Sequence, residues 1–367
     1  MDQGSYSFQQ LRKKYNDFTA PAFEISVGGK TLSRNLASIP ELEVELSAEG
    51  AAGGCTFRAE GQFNFEKQKW EHNLKSIVKP GAKVVVRGGY GSSSGQKELF
   101  YGYVDDYTLV FPDEDVPQLS VSGLDGLGYL MNLREPYYGG KKKAKQIVHT
   151  LLNKSVSAGF AKSVKVGMLE DFEAPILKEE IDDWKFLRLM AQRCGASLFV
   201  VDGEMIFDSV AGSTSPILTL NLGTTLRSFQ KRVSLAHQVG KVEIWGRDVN
   251  QKPVKGAAST VRAGGSGKSA AELVPGLKNA VLREYSEFVR TQKECESLAQ
   301  RRLDAIAMGL VSGSGECVGI PELIPGRYIR IEGGDDDSNG SYFLTRVRHR
   351  FTEGGYTTFF EFKGAKL

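Results

Sequence analysis

Cysteine and histidine are scarce in this chain, and their spacing argues against the chemistry they most often bring. Cys55, Cys194, Cys295 and Cys317 are the only four cysteines in 367 residues, and no two form a C-x-x-C pair. Scattered thiols in a long chain read as small buried apolar side chains rather than as a redox or zinc motif. His72, His149, His237 and His349 complete the histidines, with no H-x-x-x-H among them, so a zinc site has little support. Proline is sparse at 12 residues. A large charge excess is also missing: 47 basic against 44 acidic residues leave a formal net charge of +3. A dedicated nucleic-acid binder normally carries a strong basic excess. No segment reaches the roughly 20 apolar residues of a membrane-crossing helix. The start, Met1-Asp2-Gln3-Gly4-Ser5-Tyr6-Ser7, has no basic stretch leading into an apolar core. Folding in the cytosol and no stable membrane insertion are therefore expected.

What is abundant is glycine, at 42 residues, and short alternating segments. Length alone suggests two or three domains at roughly 100–200 residues each. Ala22–Val27 and Glu41–Leu46 alternate apolar and polar side chains with the period of half-buried strands. Phe57–Phe65, Lys83–Arg87, Leu99–Leu109 and Gln118–Ser122 continue the series, punctuated by Pro80-Gly81 and Gly88-Gly89. Such spacing predicts a barrel or sandwich. The period changes after Lys141-Lys142-Lys143, where Ala144, Ile147, Val148, Leu151 and Leu152 share one helical face. A second helix is expected over Asp183–Cys194, capped by Asp182 or Asp183 and closed by Gly195. A hairpin follows, Ser197–Val201 and Glu204–Asp208, around Asp202-Gly203, a pair suited to a type I′ turn.

Strands resume from Ile217, with Val239–Trp245 as one candidate. Residues 251–270, rich in glycine, alanine, serine and lysine, read as a flexible loop or insertion. Thr291-x-x-Glu294 matches a capping box, and Cys295, Leu298, Ala299, Leu303 and Ile306 carry the helix to about Met308. Tyr328–Glu332, Ser341–Phe351 and Thr357–Phe362 are the closing strands. The chain divides into a β segment at 1–135, a helix-plus-hairpin α+β segment at 136–212 and a second β segment at 213–367. The last carries a long loop at 251–280 and the helix at 291–308.

Four motifs come close to a known site. Gly264-Gly265-Ser266-Gly267-Lys268-Ser269 lacks the first glycine of a P-loop, where Arg262 stands. Gly91-Ser92-Ser93-Ser94-Gly95 satisfies G-x-S-x-G, but a strand rather than a helix follows it. Asp335-x-Asp337-x-Asn339-Gly340 begins like a calcium loop, yet Arg346 occupies the place of its bidentate glutamate. His349 lies on one strand face with Phe343, Thr345, Val347 and Phe351, a setting that fits a structural histidine. Arg346, Arg348 and Arg350 line the opposite face, solvated, paired with acidic neighbours, or facing a channel or a partner subunit. No catalytic, cofactor or metal residue is read from the sequence, and no cofactor is expected.

Three segments together resemble the phage late control D protein family, which includes the N-terminal hub part of VgrG-type proteins. The first is Asp182-Asp183-Trp184-Lys185-Phe186-Leu187 continuing through Gly195 to Val200. The second runs from Thr291 through Ala299-Gln300-Arg301-Arg302-Leu303 to Val318-Gly319-Ile320-Pro321 and Pro325-Gly326. The third is Tyr342 to His349 followed by Gly354-Gly355-Tyr356-Thr357-Thr358. They occur in the family's order over about residues 180–362. The resemblance implies an α+β, β-rich fold: two β-barrel-like tube domains with an α+β outer domain. It implies a structural baseplate hub of a contractile phage tail or contractile injection system, not an enzyme. Such a hub is a homotrimer that joins the hexameric tail tube protein to a central spike protein and meets other baseplate proteins. It is cytoplasmic during assembly and then part of the virion tail or injection particle. Because Leu367 closely follows the closing hairpin, the spike is expected to be a separate polypeptide. No sequence-specific nucleic acid is implied. The alternatives are a carbohydrate or host-surface binding module of a tail, or a tail-associated cell-wall hydrolase.

Overall fold

The computed structural model describes all residues except 1–3, 34–35, 61–62, 71–73, 93–94, 114–115, 139–142, 170–175, 210–213 and 266. Lys141 and Lys142 of the lysine run, His72, Ser93 and Ser94 of the G-x-S-x-G match, and Ser266 of the P-loop-like stretch thus lie outside the described residues.

The fold is α+β and β-rich, dominated by one sheet of 13 strands. Its path begins with Leu226–Val233, Val311–Val318, Gly355–Gly364 and Gly340–Thr352. It continues through Ser38–Ser47, Gly54–Glu60, Gln118–Leu124, Gln96–Val110, Lys83–Tyr90, Pro21–Val27 and Lys30–Thr31. Strands from the beginning and the end of the chain therefore meet edge to edge, Ser38–Ser47 against Gly340–Thr352. A β-bulge between Leu344 and Arg346 lets one strand serve both halves. Before the bulge it pairs with Tyr328–Glu332, and beyond it with Ser38–Ser47. Phe343 and Leu344 are consequently both buried, which breaks the strict alternation expected of this strand.

The apolar faces of both halves form a shared core. Leu42, Val44, Phe57, Val86 and Val121 from one half join Val347, Phe351, Phe360 and Phe362 from the other. The expected single strand over Phe57–Phe65 ends at Glu60, and Phe63–Asn64 pairs instead with Lys69–Trp70.

A second core belongs to the α+β unit. Helix Ala144–Ser157 buries the face read from the sequence, Ala144, Ile147, Val148, Leu151 and Leu152. Helix Asp183–Cys194 starts where Asp182 accepts the Lys185 N–H, and ends at Gly195 with φ 61°. The hairpin forms as expected, with Asp202 and Gly203 both at positive φ. Within this unit Lys178 and Asp183 are both buried and lie 2.6 Å apart, with Lys154 a further 2.9 Å from the carboxylate.

The third core corrects the expected loop at 251–280. Pro253–Ala258 is a strand, hydrogen-bonded to Lys241–Arg247, which in turn pairs with Val281–Tyr285. A short helix, Ala270–Leu273, and a 3-10 turn, Pro275–Asn279, follow. The small residues that resemble a linker are there for packing. Helix Gln292–Ala307 crosses this strand so closely that a Cβ on Gly256 would lie 2.2 Å from the Glu296 nitrogen. The helix itself begins as expected, Thr291 and Glu294 completing the capping box.

Candidate functional site

The arginine stripe lies on the exposed face of the large sheet, at the seam between its halves. Antiparallel register sets Arg348 opposite Glu45 and Arg350 opposite Glu43. Side chains directly opposite on neighbouring strands share a face, so the two series interleave. Arg348 donates twice to Glu45 Oε2, at 3.0 and 2.7 Å, and lies 3.3 Å from Glu43. Arg350 donates twice to Glu41 Oε1, at 3.0 and 2.6 Å. Arg346 sits 3.5 Å from Glu45 and 3.6 Å from Glu361. Hydrogen bonding to Glu45 and to Glu41 raises the Arg348 and Arg350 guanidinium pKa values above the ordinary arginine range. The result is a charge-compensated ladder. It continues into a shallow trough of about 380 Å³ lined by Thr56, Arg58, Asp106, Thr108, Ser120 and Ser122.

The glutamates were the missing half of the sequence reading. Glu41-x-Glu43-x-Glu45 has the same period of two as the arginines, and that match of opposite charges was the available signal. What no period reveals is that strands some 300 residues apart pair in this register.

His349 faces the other way. It is fully buried, its Nδ1 2.8 Å from the Tyr356 hydroxyl and 3.2 Å from Thr358 Oγ1. Burial pulls its pKa down to about 4, opposed by a backbone hydrogen bond to Leu323. It is a neutral core residue, separated from the charged ladder by the thickness of the sheet.

The near-motifs fall apart from one another. Asp335 caps a hairpin turn by accepting from the Ser338 N–H, and Asn339 bonds back to Gly334. The Lys231 ammonium occupies the Asp337 carbonyl. Gly264 and Gly267 approach Ala365 and Leu367, and the Lys268 N–H donates to the Leu367 carbonyl, so that backbone is engaged by the chain itself. Gly91 and Gly95 belong to the turn between Lys83–Tyr90 and Gln96–Val110. Among the described residues, no three His, Cys, Asp or Glu side chains are grouped to hold a metal. Cys55, Cys295 and Cys317 are buried thiols and Cys194 is partly exposed.

One larger cleft, of about 1550 Å³, lies where the α+β unit, the third core and the large sheet meet. Arg188, Arg193, Leu189, Phe288 and Arg301 are among the residues lining it. Arg193 lies over the Phe288 ring, and burial lowers its pKa to about 10.

This architecture is the fold of tail proteins from phages and related secretion machines. It is similar to a 43 kDa tail protein of prophage MuSo2 from Shewanella oneidensis, with TM-score 0.68 and 16% identity, over 94% of this chain and 98% of that one. A tail protein from Neisseria meningitidis MC58 matches with TM-score 0.68 and 13% identity, over 94% and 96%. The E. coli c3393 protein matches with TM-score 0.58 and 12% identity, over 93% and 76%. It is described as a type VI secretion component with structural similarity to the T4 tail proteins gp27 and gp5. Residues 19–353 match the family model described as the Alg8 N-terminal domain, and the chain belongs to that family. No curated protein matches it.

Proposed function

We propose that this chain is the structural hub of a contractile tail or injection-system baseplate, a homotrimer that joins a hexameric tube to a spike protein. The observation that carries this reading is similarity to tail proteins over nearly the full length of both chains. The ordered segments that resemble the late control D family support the hub role. The sheet adds a physical reason. Each chain carries two strand-rich halves joined edge to edge, so three chains offer six such halves to a sixfold tube. In this reading the segments 1–135, 136–212 and 213–367 act as first tube domain, outer domain and second tube domain. The protein is assembled in the cytoplasm, then resides in the tail baseplate, and catalyses no reaction.

The Arg346, Arg348 and Arg350 ladder lines the lumen or a subunit contact. Because each cation already has its carboxylate, such a wall is polar without a net attraction for passing cargo.

Light scattering of the purified chain, alone and with its cognate spike, tests the assembly. A trimer, or a monomer that becomes a 3:3 complex, is expected; a monomer that ignores the spike would overturn the hub reading. Replacing all three arginines by serine tests the ladder. Assembly or delivery should fall, and unchanged particles would sink its proposed role.

A further inference from the structure

The three-stranded sheet of the third core has two unlike faces. Val242, Ile244 and Ala258 pack against Cys295, Ala299 and Leu303 of helix Gln292–Ala307. The opposite face is exposed and carries two aromatic rings side by side, because the parallel register sets Trp245 beside Tyr285. Tyr285 is 62% exposed and Trp245 38%. On the other side of Trp245 the antiparallel register places Lys255, whose ammonium sits 4.6 Å from the ring centroid.

Charge on this face is ordered around one carboxylate. Glu243 is nearly buried beneath Lys241 at 2.8 Å, Lys255 at 3.1 Å and Arg283 at 3.2 Å. Lys241 and Lys255 hold its carboxyl down at about 2, so it stays ionised and keeps the cations aligned. Arg247 lies on the same face, one step beyond Trp245. Four cations share this face with one carboxylate, so the face itself carries a positive excess.

We propose that this face docks an acidic segment of a partner protein, its carboxylates meeting Arg247, Lys255 and Arg283 and an aromatic or aliphatic side chain seating on Trp245 and Tyr285. Tryptophan, tyrosine and arginine are the residues that dominate protein–protein interface energetics. Cations already held in place by Glu243 lose little freedom on binding. A formal net charge of only +3 over the whole chain gives a nucleic-acid backbone no broad basic surface to follow, which favours a protein partner.

The probe is a synthetic peptide alternating glutamate and tyrosine, with a lysine–tyrosine peptide and a thymidine oligonucleotide as controls, read by fluorescence anisotropy. The acidic peptide should bind best and weaken as salt rises. Arg247→Gln combined with Arg283→Gln should weaken it about tenfold, a change of about 1.4 kcal/mol. Tyr285→Ala, which touches no ion pair, should weaken it about fivefold. Circular dichroism checks that each variant is folded. Equal binding by wild type and both variants, or stronger binding of either control, would overturn the proposal. So would self-association by light scattering that is lost in the variants while the acidic peptide fails to bind, since the occupant would then be a second copy.

Discussion

At the scale of single residues, two buried titratable groups pull stability in opposite directions with pH. His349 has a pKa lowered by burial to about 4, below the unfolded value of about 6.5. The unfolded chain therefore takes up its proton first as pH falls. The stability His349 contributes is complete above about pH 6.5 and is lost as pH falls toward about 4, a loss of about 3 kcal/mol. Asp125 behaves oppositely. Burial raises its pKa to about 7 against backbone N–H groups of Gly53, Leu127 and Gly128. Its contribution is complete below its unfolded pKa of about 3.9 and is lost as pH rises toward 7. Urea unfolding across this range reads the wild-type slope for comparison with the variant. His349→Gln should unmask stability that falls as pH rises, and a variant with unchanged slope would show that His349 is not neutral in the core.

At the scale of elements, glycine marks where one piece of backbone needs close approach or a left-handed turn. Gly195 does both. Its φ of 61° closes helix Asp183–Cys194, and a Cβ there would lie 2.1 Å from the Arg301 Cδ of helix Gln292–Ala307. Gly195→Ala should therefore cost more than the about 1 kcal/mol of an ordinary left-handed position, because Arg301 must move as well. Thermal melting checks this, and a shift of less than a degree would show that the two helices separate without cost. The helix itself was legible from Asp182, the apolar spacing and Gly195, since capping and periodicity are local. The strand Pro253–Ala258 was not. Alanine and glycine lack strand signatures, and its identity is set by a helix lying across it and a neighbour hydrogen-bonded beside it.

At the scale of the whole molecule, the seam between the two halves matters most. Phe351 is buried there, stacked on Tyr356 at 3.9 Å and 5.3 Å from Phe23 of the other half. A Cβ on Gly88 would lie 2.6 Å from the Phe351 ring, so no larger residue fits at this contact without displacing the ring. Phe351→Ala should cost about 3–5 kcal/mol. It should lower the melting of both halves together, as followed by hydrogen exchange in Lys83–Tyr90 and in Gly355–Gly364. Loss of protection in one half alone would mean that the shared core does not couple them. The ion-pair ladder on the exposed face is a weaker tie, since half-exposed pairs are screened and contribute about 0–1 kcal/mol each.

By itself the sequence determined the short-range features: alternating strands, capped helices, the Asp-Gly hairpin and a histidine on an apolar strand face. Each depends on residues a few positions apart, where sterics and hydrogen bonding act directly. It also displayed both charged stripes, Glu41 to Glu45 and Arg346 to Arg350, without joining them. Tertiary structure alone decided that they meet, that Gly340–Thr352 changes partners at its bulge, and that Glu243 gathers three cations beside Trp245. Those outcomes depend on which distant strands pair and in what register, and that is fixed by how the buried faces pack into the separate cores of the chain.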